Sequence, residues 1–336
     1  MWHKTLLGLL FISLAATAHA SAPEAAYAYA YGSKAFTRLV EESYRLIPST
    51  GRESFYAWFE GAYARHAKQG LRQSLEARRR AYSRLRPSQK TAYERQSAIW
   101  AYRTVKALMP RFSLERGYEF AYAARNGERQ CLLQSVLIAG MLQRIGLRAG
   151  AVMVWKSLHG QVSNLGHVST LLRLSNGHDL LVDASEPEPF PEHQGLFTWD
   201  AAARDYRFLE PRFATDHEIQ AYRLVGNGHE APVSEIAPLG LRYLQSQFYY
   251  YRGERAPNGF IGPSTPQGLA ASAGFLQQAV RLEPGNPLAV YVLGLVYRKQ
   301  GQLEAARQQI RAGYQLYVRY GFIPDGPKAA YTWAGE

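Results

Sequence analysis

Three side chains between residues 131 and 183 have the types, and the order along the chain, of a thiol nucleophile with its proton-handling partners: Cys131, His167 and Asp183. A thiol attacks carbonyl carbon well only as thiolate, a form that a helix N-terminus and a nearby imidazolium favour. Cys131 opens a run (Leu132, Leu133, Val136, Leu137, Ile138, Met141, Leu142 and Ile145) that is apolar almost all the way round, which predicts a buried central helix stopped by Gly146. The unpaired N–H groups of such a first turn favour negative sulfur and can hold an oxyanion formed during attack. The backbone N–H of Cys131 is one candidate donor, and a Trp, Tyr or Gln side chain from the helical region is another. A lone cysteine on an apolar helix is more often an inert core residue; the partners shift the balance. His167 follows Cys131 by 36 residues (167 − 131) at the opening of a predicted strand, and Asp183 follows His167 by 16 (183 − 167) near the end of the next.

Whether Asp183 can orient His167 is a question of strand register, because successive side chains face opposite sides of a sheet. The two strands, Gly166 to Leu174 and Asp179 to Ala184, are separated by Ser175-Asn176-Gly177. A two-residue turn at Asn176-Gly177 pairs Ser175 with His178 and His167 with Glu186, which puts Asp183 on the opposite face. A three-residue loop with Gly177 left-handed pairs Leu174 with His178 and Ser169 with Asp183. Asp183 then lies diagonally beside His167 on the same face. A shared site therefore requires the longer loop.

The surrounding elements follow from periodicity and breakers. From Tyr27 to about Arg125, Ala, Tyr, Arg, Leu and Glu dominate, with breaks at Pro48 to Gly51, Pro87 and Pro110; three or four helices are predicted. The last starts near Ser113, runs through Tyr118, Phe120 and Tyr122 to Ala124, and stops at Asn126-Gly127. Ala151 to Trp155 reads as a strand between the central helix and the hairpin, so the fold class is α+β with an antiparallel sheet. The stretch from Glu186 to Pro266 is poorly patterned apart from a helix over Tyr243 to Tyr251, whose tyrosines read as interhelical packing. Pro257 to Pro266 reads as a linker.

The run Arg129-Gln130-Cys131 through Gly146-Leu147-Arg148-Ala149, then Gly166-His167-Val168, then Leu181-Val182-Asp183, resembles the transglutaminase-like superfamily over residues from about 120 to 190. That resemblance implies a papain-like core in which a Cys opens a core helix, a His begins a strand and an Asp sits on the neighbouring strand. It implies acyl transfer on amide bonds: Cys131 attacks a carbonyl, a thioester forms with loss of an amine, and water or a second amine resolves it, with Asp183 fixing the tautomer of His167. Gln130 and Val168 stand where many relatives carry a Gly and an aromatic residue. A cysteine peptidase or amidase is expected ahead of a cross-linking enzyme, because water is the ever-present acceptor. The alternative is a catalytically silent scaffold that binds a protein or cell-wall partner. Further on, Leu276, Ala279 and Pro284, then Leu293-Gly294, Tyr297, Gly301, Ala306 and Ile310, resemble a tetratricopeptide repeat. About one and a half such units are present where about three are needed to stand alone. The region is therefore expected to pack against the rest of the chain.

Lys4, the apolar run from Leu6 to Ala16, and Ala18-His19-Ala20 predict a cleavable export signal. The expected organisation is a signal peptide over 1–20, a transglutaminase-like domain with a helical N-terminal portion over 21–256, and a tetratricopeptide-like helical region over 257–336. The protein is expected to be secreted or periplasmic. No later stretch approaches about eighteen uninterrupted apolar residues, so no transmembrane segment is predicted. The single cysteine has no partner for an internal disulfide. A formal charge of +12 suits an anionic cell-envelope polymer, although Arg spread this evenly is also what a solubilising surface looks like. Protein, peptide or peptidoglycan amides are the expected substrates. Nucleic acid is not an expected partner, since no groove-reading or stacking motif accompanies the basic residues. No cofactor or metal is expected: His159, His167, His178 and His193 follow one another at spacings of 8, 11 and 15, which match no common ligand pattern. His178 and His193 read as loop residues.

Overall fold

Serine caps set the starts of the first two helices. In the computed structural model, which describes residues 26–47 and 54–335, the expected export signal lies outside the described residues. Helix α1 (Lys34–Leu46) begins behind Ser33, whose hydroxyl accepts the Phe36 N–H, and α2 (Phe55–Ala67) begins behind Ser54 in the same way. Helix α3 (Leu71–Ser83) follows, and α4 (Pro87–Leu108) places Pro87 in its first turn, where the missing N–H costs nothing. Strand β1 (Arg111–Phe112) pairs in parallel with β2 (Glu128–Arg129), and the two bracket α5 (Phe120–Asn126). That helix starts later than the sequence suggested. Residues 114–118 are turns, and Gly117 lies so close to the Arg129 carbonyl that a Cβ there would sit 2.4 Å from its oxygen.

Helix α6 (Cys131–Ile145) is the centre of the molecule: only Gln143 and Arg144 escape burial, and Gly146, at φ 101°, stops it. Helices α3 and α4 pack on one side of it. On the other lie β3 (Arg148–Lys156) and β4 (Val162–Arg173). Six antiparallel strands close into a barrel, with β3 and β4 joined by β5 (Asp179–Val182), β6 (Gly195–Asp200), β7 (Asp205–Phe213) and β8 (Glu218–Leu224) in the ring order β6-β3-β4-β5-β8-β7. Pairing of β6 with β7 shuts the ring, while β9 (Glu230–Pro232) adds to β8 and β10 (Ile236–Ala237) adds to β6. Alternation sorts the side chains: Val152, Val154, Leu171, Leu181, Leu196 and Leu209 fill one apolar cluster, whereas Ala151, Met153, Val168 and Leu172 belong to the larger cluster around α6. The stretch after Glu186, expected to carry little structure before Tyr243, thus folds as five strands. Its strands escape sequence reading because some are covered on both faces, as β6 is along its whole length, and the polar alternation that marks a half-exposed strand is missing.

The β4–β5 hairpin has the three-residue loop. Leu174 N–H donates to the His178 carbonyl at 2.8 Å, Gly177 sits at φ 91°, and Arg173 pairs with Asp179 as Thr170 does with Val182. Continuing that register brings Asp183 opposite Ser169, diagonal to His167.

The C-terminal part is helical: α7 (Leu241–Glu254), α8 (Pro266–Leu282), α9 (Pro287–Lys299), α10 (Leu303–Tyr320) and α11 (Asp325–Gly335). Gly294 of α9 faces Ile310 of α10, where a Cβ would lie 2.7 Å from the isoleucine, so the two helices interlock. The segment between α7 and α8 is a loop closed on itself where the Thr265 N–H donates to the Asn258 carbonyl at 2.8 Å. This region does pack on the rest of the chain. Tyr317 stacks on Phe208, Tyr320 meets Phe197 and Tyr206, and Phe322 lies 4.3 Å from Trp155 between ring centroids.

Candidate active site

Cys131 stands at the first position of α6, behind Gln130, whose side-chain oxygen accepts the Leu132 N–H at 3.1 Å. Its Sγ lies 3.7 Å from the Tyr251 hydroxyl of α7, and that hydroxyl donates to the Gly166 carbonyl at 3.0 Å. Tyr118 stacks on Tyr251 with centroids 5.6 Å apart, and the thiol residue is only 4% exposed. Burial, then the neighbouring Cys131, push the Tyr251 phenol well above its ordinary range, so it is a hydrogen-bond donor across the usual pH range.

The three residues singled out in the sequence come together. His167 Nε2 lies 2.5 Å from Asp183 Oδ2. That contact leaves Nδ1 as the ring nitrogen available to the Cys131 thiol, which is near enough to act on the imidazole. Burial alone would push the imidazole down. The charge of Asp183, its hydrogen bond and the contact with Cys131 outweigh it and hold His167 well above the ordinary value. Asp183 shows the mirror balance: burial would raise it, but the charge of His167 and hydrogen bonds from two histidines hold its carboxyl far below the carboxylate range.

The carboxylate of Asp183 is fully buried and takes four donors. Oδ2 accepts from His167 and from His193 Nε2 at 3.1 Å, and Oδ1 accepts from the Ser185 N–H at 2.8 Å and Gln134 Nε2 at 3.3 Å. Gln134 is aimed by Arg129, which donates to its side-chain oxygen at 3.0 Å and also to the Met109 carbonyl. Burial pushes the Arg129 guanidinium down, and Tyr102 and Asp183 oppose it.

Three of these side chains lie outside the expected site. His193 is in a loop, as expected, but wholly buried against Asp183. Gln134 and Arg129 hide in the α6 pattern and its approach; an amide one turn after the cysteine, on a helix otherwise apolar, was the signal available. Tyr251 packs between helices as expected but also touches the thiol. His178, by contrast, serves the exposed rim, with Nδ1 2.9 Å from Glu218 Oε2. His167, Asp183 and His193 offer three ligand atoms within 4.8 Å of one another, a grouping that nearest-neighbour spacing in the sequence did not reveal. Both Nε2 atoms are committed as donors to the same oxygen, so a cation would have to displace those protons. The segment carrying His193 also walls a cleft of about 860 Å³, lined by Lys156, His159, Glu188, Phe190 and Gln194 among others.

The tetratricopeptide repeat family model matches residues 275–308, from the last part of α8 through α9 into α10. No curated protein and no solved structure matches the chain. Among the described residues, no helix is long and apolar enough to cross a membrane.

Proposed function

We propose that this protein is a transglutaminase-like cysteine enzyme that performs acyl transfer on amide bonds, as a peptidase or amidase. One observation carries the reading: a thiol at the head of a buried helix adjoins an imidazole whose far nitrogen is held by a buried carboxylate. In the step this supports, His167 holds the Cys131 proton on Nδ1, and Sγ, as thiolate, bonds to the carbonyl carbon. The proton then passes to the leaving amine as the C–N bond breaks. Water, deprotonated by His167, cleaves the thioester and returns the thiol. Asp183 keeps the Nε2 proton in place and offsets the imidazolium charge. The leading sequence supports export, so the substrates belong outside the cytoplasm, among proteins, peptides and peptidoglycan amides. The tetratricopeptide repeat match supports, as a lesser role beside packing on the barrel, a protein partner for the helical region.

The deciding experiment compares the mature protein with Cys131→Ala on peptide and peptidoglycan amides. Turnover confined to the chain with the thiol supports the proposal, and equal turnover by both ends it. The burial of Cys131 under Tyr251 favours a second reading, a silent scaffold with a sealed thiol. A sealed thiol reacts slowly with iodoacetamide at every pH, whereas a thiol paired with imidazole stays reactive below neutral pH.

A further inference from the structure

His193 has no part in the chemistry above, yet its ring is fully buried and makes a single polar contact among the described residues. Nε2 meets Asp183 Oδ2 at 3.1 Å, and among those residues the buried Nδ1 has no hydrogen-bond partner. A histidine kept only for stability gains by satisfying both nitrogens, because an unpaired buried polar atom is costly. The cost here accompanies one specific contact, made to the same oxygen that holds His167. A carboxylate oxygen offers two lone pairs, so the two rings saturate Oδ2 while Ser185 and Gln134 occupy Oδ1. Rotation about the terminal carboxylate torsion is otherwise broad; with a donor on every side it is blocked. The loop that carries His193 is tied by its own backbone as well: the Asp183 N–H donates to the Pro189 carbonyl at 3.1 Å, and the Gln194 N–H to the Ser157 carbonyl at 3.5 Å.

We infer that His193 is a positioning residue: it fixes the carboxylate of Asp183 so that Oδ2 stays on His167 Nε2 and Nδ1 stays directed at the sulfur. The inference rests on the acyl-transfer reading. The two rings meet edge to face at 5.5 Å between centroids, so His193 reaches the thiol only through Asp183 and His167. The ionisable groups around this cluster are Cys131 of α6, His167 of β4, Asp183, Arg129 of β2, Tyr102 of α4, Tyr251 of α7, and the Glu192–His217 pair on the outer side.

The test is the pH profile of iodoacetamide alkylation of Cys131 in the full mature chain, with a melting curve for each variant. His193→Phe keeps a ring without N–H, His193→Asn carries a donor too short to reach Oδ2, and His193→Gln places an amide donor near the position of Nε2. Phe and Asn are expected to lower the rate near pH 6 about tenfold, the effect of one lost charged hydrogen bond, and Gln to restore most of it. A merely structural role would lower melting temperatures and leave the shape of the profile unchanged. If either folded variant, Phe or Asn, keeps the wild-type profile, or Gln is as impaired as Asn, the inference is overturned. A wild-type profile that is already that of a free thiol overturns the acyl-transfer reading itself, a result visible before any variant is made.

Discussion

Asp183→Asn is nearly isosteric, yet the structure makes it severe. The carboxylate has two donors on each oxygen, and an amide can face only one pair with its own oxygen. The Ser185 N–H is a backbone donor that cannot retautomerise, so the amide oxygen turns to Ser185 and Gln134 and the NH2 group turns to the two histidines. His167 must then carry its proton on Nδ1, and it presents an N–H to Cys131 where a lone pair is needed. Exchanging two hydrogen bonds to a buried charge for two neutral ones costs about 2–3 kcal/mol of stability, at about 1–1.5 kcal/mol each. In the serine-protease template, the wrong tautomer costs about 10⁴ in rate. We expect a fall of at least about a hundredfold in the alkylation rate of Cys131 near neutral pH, since part of that template figure belongs to later steps. Mass-spectrometric timing of iodoacetamide labelling reads the rate, and urea unfolding reads the stability. An Asp183→Asn variant that folds and labels at the wild-type rate would refute the claim that this carboxylate governs the imidazole.

Stability should vary with pH in a window set by the same pair. The contribution of Asp183, whose folded value is depressed, is present above about pH 4 and lost as pH falls through that folded value; the contribution of His167, whose folded value is raised, is present below about pH 6.5 and lost as pH rises toward its folded value. The difference in unfolding free energy between wild type and Asp183→Asn should therefore be largest between about pH 4 and 6.5 and shrink on both sides; a flat difference contradicts it. Tyr251→Ala removes the cover over the thiol and should raise its labelling rate while costing about 3–5 kcal/mol of core packing; unchanged labelling would show that access lies elsewhere. Arg252→Met leaves Glu119, its buried partner at 2.6 Å, unpaired and should destabilise the chain by about 3–5 kcal/mol by urea unfolding. Adding Glu119→Gln should recover part of that loss.

What could be read from the chain alone was local. An apolar run with Cys131 at its head and Gly146 at its end specifies α6, because helix start, burial and stop are written within sixteen residues. Ser175-Asn176-Gly177 contains the left-handed glycine its loop needs, and that loop sets the parity that brings His167 and Asp183 to one face. The barrel was beyond such reading. Its closure joins β6, buried on both faces, to β7 and β3, and this pairing is decided by distant chain segments rather than by the periodicity of β6 itself. The same holds for the rest of the site. His193 arrives on the loop before β6, Tyr251 arrives on α7 after the barrel is complete, and Gln134 acts only once Asp183 is beside it. Covalent neighbours dictate where a helix starts or a loop turns, whereas hydrogen bonds across a core depend on which surfaces the whole chain has brought into contact.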